Sequence, residues 1–254
     1  MNYNQIINLV KSTKKFIFNE NLKNDLSIKV DSDFVTQVDL SISKYLKKEL
    51  YKLYPDIPFM SEEDDFSTLT NNRWILDPID GTTNLIFDYK MSSVSLALMQ
   101  NKEIVFGIVY NPFTNELFTA IKGHGAYLNN NKIVAKDRNI KNCLIEFGLG
   151  AQYKNLADEN FEIAKDIFKE CLDLRRTSSS ALEVCYIACG RLNGYFEKIL
   201  HPWDYAASTL ILKESGGKAS DWNGNQLQYN ETSSIICGST TAYNFLYNKL
   251  KNKL

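Results

Sequence analysis

Between Trp74 and Asn84 the chain reads Trp-Ile-Leu-Asp-Pro-Ile-Asp-Gly-Thr-Thr-Asn, and no other stretch constrains its fold as strongly. Trp74 to Leu76 is an apolar strand. Pro78 biases Asp77 toward extended backbone, so the strand delivers Asp77 at its end, with Asp80 in the turn that follows. Gly81 and Thr82 then open a helix, where unpaired N–H groups and the positive end of the dipole favour a phosphate or other anion. Taken alone, Asp80-Gly81 reads equally as a surface turn and Asp77 as a cap. Clustered carboxylates, however, repel unless one is protonated or a cation intervenes, and Mg²⁺ takes oxygen ligands completed by water and substrate phosphate. The economical expectation is a phosphate held against these acids by metal ions.

A chain of 254 residues can bury such a strand. Area scaling gives a folded surface of roughly 11,000 Å² against about 42,000 Å² unfolded, which suits one large domain or two packed halves. Hydrophobic residues at 44% and charged residues at 23% exclude a disordered or collagen-like chain. Twenty-nine Lys and Arg against 30 Asp and Glu leave no field that draws nucleic acid or an anionic membrane, so nucleic acid is not the expected partner. The apolar run from Val94 to Met99 falls far short of the ~20 residues of a membrane span. Met1 to Gln5 shows no secretory leader, and a cytoplasmic location is expected. Five cysteines without a C-x-x-C pair fit reduced thiols, with Cys185 and Cys189 expected in the core. Only His124 and His201 could serve as imidazole base or ligand, so oxygen ligands are expected to carry the chemistry.

Hydrophobic spacing predicts a first helix through Ile6, Leu9, Val10, Phe16 and Ile17, and a second after Asp39 with Leu40, Tyr45, Leu46, Leu50 and Leu53 on its apolar side. Strands are expected at Trp74 to Leu76, Ser93 to Gln100, Ile104 to Tyr110 and Glu116 to Ile121. Beyond Asn142 the pattern changes to helices at Phe161 to Leu172, Ala181 to Cys189 and Trp203 to Ser215. Strands at Gly194 to Phe196 and Ser234 to Ile236 alternate with them, and Gly190 and Gly216-Gly217 stand where helices stop. The division this suggests is a sheet-rich first half, 1–142, and an alternating α/β second half, 143–254.

Three further acidic pieces lie outside the central stretch. In Asp33 to Asp39, Thr36 or Asp39 reads first as a helix cap. Met60 to Asp65 reads as a solvated acidic run, and Pro202-Trp203-Asp204 as a capped helix start. Each is weak alone; together they supply acids from four separated segments, as a metal site assembled in three dimensions requires. In combination and in order, D-x-x-T-x-x-D at Asp33 to Asp39, Glu62-Glu63, Asp77 to Asn84, and Tyr195-Phe196-Glu197 with Pro202 to Ala207 resemble the inositol monophosphatase family. That family is part of a lithium-sensitive, magnesium-dependent sugar phosphatase superfamily.

The resemblance implies a layered αβαβα sandwich, commonly a homodimer, and a Mg²⁺-dependent hydrolysis of inositol monophosphate or a similar small sugar phosphate. Glu62, Asp77 and the Ile79 carbonyl would hold one Mg²⁺, and Asp77, Asp80 and Asp204 a second, with Asp77 bridging. A third, weaker ion would contact Glu62. Thr82, hydrogen-bonded to Asp39, would orient the attacking water; Gly81 and Thr82 amides would bind phosphate; Asp80, Ser180 and Glu197 would face substrate hydroxyls. Where the family has Gly-Ser/Thr-Ala-Ala, this chain has Ser178-Ser179-Ser180-Ala181, which alters that wall. Arg175-Arg176 reads first as a solvent-exposed or interface pair, and alternatively as contacts to a second phosphate. The alternatives are therefore a phosphatase of fructose 1,6-bisphosphate, NADP or 3′-phosphoadenosine nucleotides, or a catalytically silent regulatory scaffold.

Overall fold

Two sheets carry the fold in the computed structural model, which describes residues 1–23, 26–28, 34–63, 70–251 and 253. Helices α1 (Tyr3–Ser12), α2 (Lys14–Ile17) and α3 (Glu20–Lys23) lead to the antiparallel pair β1 (Leu26–Ile28) and β2 (Phe34–Thr36), then to α4 (Gln37–Leu53). The first sheet runs in chain order: β3 (Phe59–Ser61), β4 (Arg73–Asp80), β5 (Ser93–Gln100), β6 (Glu103–Asn111), β7 (Glu116–Ile121), β8 (Ala126–Leu128) and β9 (Asn131–Ile133). Its β3–β4 pair is parallel and the others antiparallel. The short helix α5 (Thr82–Ile86) interrupts it after β4. The second sheet comprises β10 (Leu144–Phe147), β11 (Asp173–Arg175), β12 (Gly194–Leu200), β13 (Lys218–Ser220) and β14 (Ser233–Gly238), ordered β11-β10-β12-β14-β13. Helices α6 (Ala157–Phe168), α7 (Ser180–Ala188), α8 (Pro202–Glu214) and α9 (Thr240–Leu250) complete the chain.

Side-chain alternation along the strands sorts these elements into five layers. Trp74, Leu76, Leu96 and Ile108 face outward onto Ile6 and Val10 of α1 and Ile42 and Leu46 of α4. Ile75, Ala97 and Val109, on the opposite face, meet Leu182 and Cys185 of α7 and Ala207 and Ile211 of α8, which Tyr195 and Ile235 of the second sheet cover from the other side. The far face of that sheet, with Ile145, Phe196 and Ile236, packs on Ile163 and Ile167 of α6 and Leu246 of α9. Helices α7 and α8 are therefore enclosed between sheets and buried on nearly every side, with Glu183 and Asp204 among their few polar groups, whereas α1 and α4 are amphipathic. Gly107 lets α8 approach β6, since a Cβ there would lie 2.6 Å from the Ala207 carbonyl oxygen. The αβαβα arrangement expected from the resemblance is the one observed, and the accessible surface is 11530 Å².

The structure departs from the sequence reading in local detail. The first helix breaks at Thr13, because Ser12 and Thr13 turn their hydroxyls onto the Leu9 and Val10 carbonyls at 2.7 and 2.6 Å and so compete with the helix ladder. On α4 the buried stripe is Val38, Ile42, Leu46 and Leu50; Leu40 lies off it, 42% exposed. Helix α6 begins at Ala157, with Asp158 and Glu159 in its first turn, and stops at Phe168 short of Leu172. Gly190 and Gly216, at φ +78° and +89°, end α7 and α8 as expected. The five cysteines are free, Cys185 fully buried and Cys189 partly. Among the described residues no helix is long and apolar enough to cross a membrane.

Candidate active site

The carboxylates meet because β4 is irregular. Pro78 has no N–H to give the ladder, and the pairing with β5 shifts there: Asp77 lies opposite Ser95 and Asp80 opposite Ser93. Ser93 and Ser95, two apart on a regular strand, share a face, so the bulge turns Asp77 and Asp80 to the same side. Asp80 thus ends the strand rather than sitting in the turn expected for it. Asp77 Oδ1 accepts the Ile79 N–H at 2.9 Å, which closes the bulge. Gly81 follows at φ +84°, with the Met91 carbonyl oxygen 2.9 Å from where a Cβ would stand, so both the turn and the close approach require glycine.

Other elements deliver the remaining groups. The Glu62 N–H donates to the Leu76 carbonyl at 3.3 Å, extending the β3–β4 pairing and setting Glu62 beside Asp77. Pro202 starts α8, and Asp204, in its first turn, accepts the His201 N–H at 2.7 Å. Asp39 forms a capping box with Thr36 at the start of α4, its Oδ2 taking the Thr36 N–H at 2.9 Å and hydroxyl at 2.5 Å. Its Oδ1 lies 3.2 Å from the Thr82 hydroxyl, which is also 3.0 Å from the Ile79 carbonyl. Asp39 is therefore a helix cap that also contacts Thr82, and Asp204 a first-turn cap that also lines the cleft. Asp33, Asp64 and Asp65 lie outside the described residues.

These groups surround a cleft of about 690 Å³, lined by Glu62, Asp77, Ile79, Asp80, Gly81, Thr82, Ser180, Glu197 and Asp204, with Asp39 behind Thr82. The metal- and phosphate-ligand candidates within the described residues are thus brought to one place. Four donors hold Asp80: Ser179 Oγ at 2.5 Å, the Ala181 N–H at 3.1 Å, Ser180 Oγ at 3.2 Å and Ser93 Oγ at 3.3 Å. The Tyr195 hydroxyl donates to Glu197. The arginine pair divides: Arg175 pairs with Asp173 on the surface, whereas Arg176 lines the cleft and donates to the Leu149 carbonyl at 2.7 Å. Sequence reasoning passed over Ser93, Glu183 and Gly148, whose Cβ would lie 2.0 Å from Glu197 Oε2. A glycine straight after a strand, as at Gly148, was the available signal for that close approach.

Burial first, then Glu62, Asp80 and Asp204, push the Asp77 carboxyl well above its ordinary range. Asp80 and Asp204 are raised chiefly by burial too, and burial lifts Glu197 to about 7 and Asp39 to about 6. Among the described residues no Lys or Arg forms an ion pair with Asp77, Asp80, Asp204 or Glu197. Nor, among them, do three ligating side chains close into a ready-made cage. An open ring of buried, mutually repelling carboxylates suits a hard divalent cation that keeps water and substrate oxygens in its shell.

The inositol monophosphatase family model matches residues 3–253. The chain is 34% identical over 233 residues to the Nus factor SuhB of Escherichia coli K12, covering 91% of this chain and 87% of that protein. The suppressor protein SuhB of Bartonella henselae superposes with a TM-score of 0.90 at 30% identity, over 99% of both chains. Inositol monophosphatase II of Staphylococcus aureus, solved with inositol monophosphate bound, gives 0.84 at 25% identity over 99% and 94%. Matched along nearly its whole length by the family model and carrying the same layered fold, this chain belongs to the inositol monophosphatase family.

Proposed function

We infer that the chain is a Mg²⁺-dependent phosphomonoesterase acting on inositol monophosphate or a similar small sugar phosphate. The observation that carries this reading is the bulge at Pro78, which turns two buried carboxylates to one side of a strand in a cleft that Gly81 and Thr82 also line. Glu62, Asp77 and the Ile79 carbonyl would hold one ion; Asp77, Asp80 and Asp204 would hold another, with a third beside Glu62. Bound there, Mg²⁺ supplies Lewis-acid chemistry, lowering the pKa of water and offsetting the charge of the phosphate and leaving oxygen. The chain's own part is positional. Thr82 has one hydroxyl proton, given to Asp39 or to the Ile79 carbonyl, so a lone pair remains to accept from the attacking water and aim it at phosphorus. The Gly81 and Thr82 N–H groups hold the phosphate oxygens. Asp80, Ser180 and Glu197 accept or share the hydroxyl hydrogens of a polyol.

The relative with inositol monophosphate bound supports a small phosphorylated ligand, and Arg176 gives the cleft a cation for a second phosphate, which keeps fructose 1,6-bisphosphate, NADP and 3′-phosphoadenosine 5′-phosphate as the alternatives. The name Nus factor among the relatives favours, as a second reading, a regulatory binding role on the same scaffold. A homodimer and inhibition by Li⁺ competing at Asp80 and Asp204 belong to the same proposal. Phosphate release across these esters and inositol 1-phosphate, ranked by kcat/KM, tests it. Highest turnover of inositol 1-phosphate is expected; preference for a nucleotide replaces the substrate, and silence on the whole panel favours the regulatory role.

A further inference from the structure

Behind the wall that carries Ser179 and Ser180, two more carboxyls are buried against each other. Glu146 in β10 and Glu183 in the first turn of α7 are each 1% exposed. They meet across Thr177. Glu146 Oε1 accepts the Thr177 N–H at 2.7 Å and lies 2.6 Å from its hydroxyl oxygen; Glu183 Oε1 lies 3.0 Å from the same hydroxyl and accepts the Ser179 N–H at 3.3 Å. A threonine hydroxyl has one proton and cannot donate to both. Both contacts are hydrogen bonds only if one carboxyl carries a proton of its own.

The neighbours do not remove that need. Asp80 from β4 and Glu197 from β12 face Glu183 and add negative charge, Tyr195 from β12 is neutral, and Arg175 from β11 is exposed and paired with Asp173. Among the described residues neither Glu146 nor Glu183 joins an ion pair. Burial, and after it the adjacent Glu146, holds the Glu183 carboxyl well above its ordinary range.

The turn that this pair grips is the one that holds Asp80. Ser178 sits at φ +60°, a conformation that costs a non-glycine residue energy and persists only where its surroundings fix it. On one side Thr177 is anchored to Glu146 and Glu183; on the other, Ser179, Ser180 and Ala181 donate to Asp80. Asn84 Nδ2 ties the turn to α5 through the Thr177 carbonyl at 2.7 Å.

We propose that Glu146 and Glu183 share a single proton across Thr177 and that this pair is the positioning device that sets the Ser178–Ser180 turn against Asp80. The proposal rests on the phosphatase reading for the role of Asp80. Glu146 does not line the cleft; it acts through Thr177. Loss of the shared proton places two like charges in one buried pocket, loosens Thr177 and withdraws donors from Asp80. Glu146→Gln substitutes a permanent hydrogen: its amide oxygen still accepts from Thr177, and its NH₂ donates to an ionised Glu183.

Infrared difference spectra of wild type against Glu146→Gln, in saturating Mg²⁺ at neutral pH, test the proton directly. Beyond the carboxyl bands common to both proteins, such as that of Glu197, one further protonated-carboxyl carbonyl band is expected in wild type and absent from the variant, and it fades as the pH is raised. In phosphate release, the alkaline limb of kcat/KM is expected to move up by about one pH unit or more in Glu146→Gln, as for strongly coupled carboxyls. A wild-type spectrum without the band overturns the proposal, as does a folded Glu146→Gln with an unaltered alkaline limb. If no ester is turned over by either form, the phosphatase reading fails instead. The infrared titration then decides the shared proton, and the pH dependence of Mg²⁺ affinity by calorimetry, altered or unaltered by Glu146→Gln, decides the hold on Asp80.

Discussion

Thr82 has a single hydroxyl proton and two buried acceptors for it, which leaves a hydroxyl lone pair free to accept from water. Thr82→Val keeps the shape and removes the hydroxyl, so kcat is expected to fall about a hundredfold with KM little changed, the signature of a lost reaction-geometry contact. Equal kcat in the two proteins, measured by steady-state phosphate release, would remove Thr82 from the chemistry. Gly148 makes a complementary case. A Cβ there would stand 2.0 Å from Glu197 Oε2, so Gly148→Ala displaces the Glu197 carboxylate, and KM is expected to rise about tenfold, the worth of one charged hydrogen bond. At this scale the sequence was informative where chemistry and capping coincide: Asp39 and Asp204 are visible as caps, and the same geometry that caps a helix also aims their second oxygens. It was mute about Glu146 and Glu183, because an acid inside an apolar stretch gives no sign of which buried partner it will meet.

Elements were legible where a period or a breaker was strong. Ser93–Gln100 and Glu116–Ile121 fall where the sequence placed them, whereas β4 runs through Pro78 to Asp80, past the end expected at Asp77. The bulge itself was not legible, since it depends on the register with β5, a long-range pairing. Leu40 shows the limit of reading one helix alone: it fits the spacing, yet it points away from the sheet that Val38, Ile42 and Leu46 cover. Leu46→Ala is therefore expected to cost about 2–5 kcal/mol in urea unfolding, and Leu40→Ala less than about 0.5 kcal/mol. Comparable losses at both positions would contradict the orientation of α4. The turn before α7 carries strain of its own, and Ser178→Gly is expected to stabilise the fold by up to about 1 kcal/mol by relieving a left-handed serine. Helices α7 and α8 were readable as helices but not as the middle layer, because a largely apolar helix is marked as enclosed but not by what.

Across the whole molecule the buried acids tie stability to pH. Asp39 and Glu197 have folded pKa values of about 6 and about 7, above the ordinary values of 3.8 and 4.5. The stability they contribute is fully present below about pH 4 and is lost as the pH rises through those folded values, on the order of 3 kcal/mol each. Metal-free protein is thus expected to melt at a lower temperature at pH 8 than at pH 5 in scanning calorimetry, and Mg²⁺ is expected to raise Tm more at pH 8; a Tm independent of pH and Mg²⁺ would contradict the uncompensated charge of the site. The most direct test of the central claim is phosphate release from inositol 1-phosphate by wild type and Asp77→Asn, each in Mg²⁺ and in EDTA. Wild type is expected to turn over only with Mg²⁺, and folded Asp77→Asn to lose more than about 100-fold, beyond what an outer partner of a metal ligand costs. Turnover that survives EDTA, or a folded Asp77→Asn of normal activity, would contradict it.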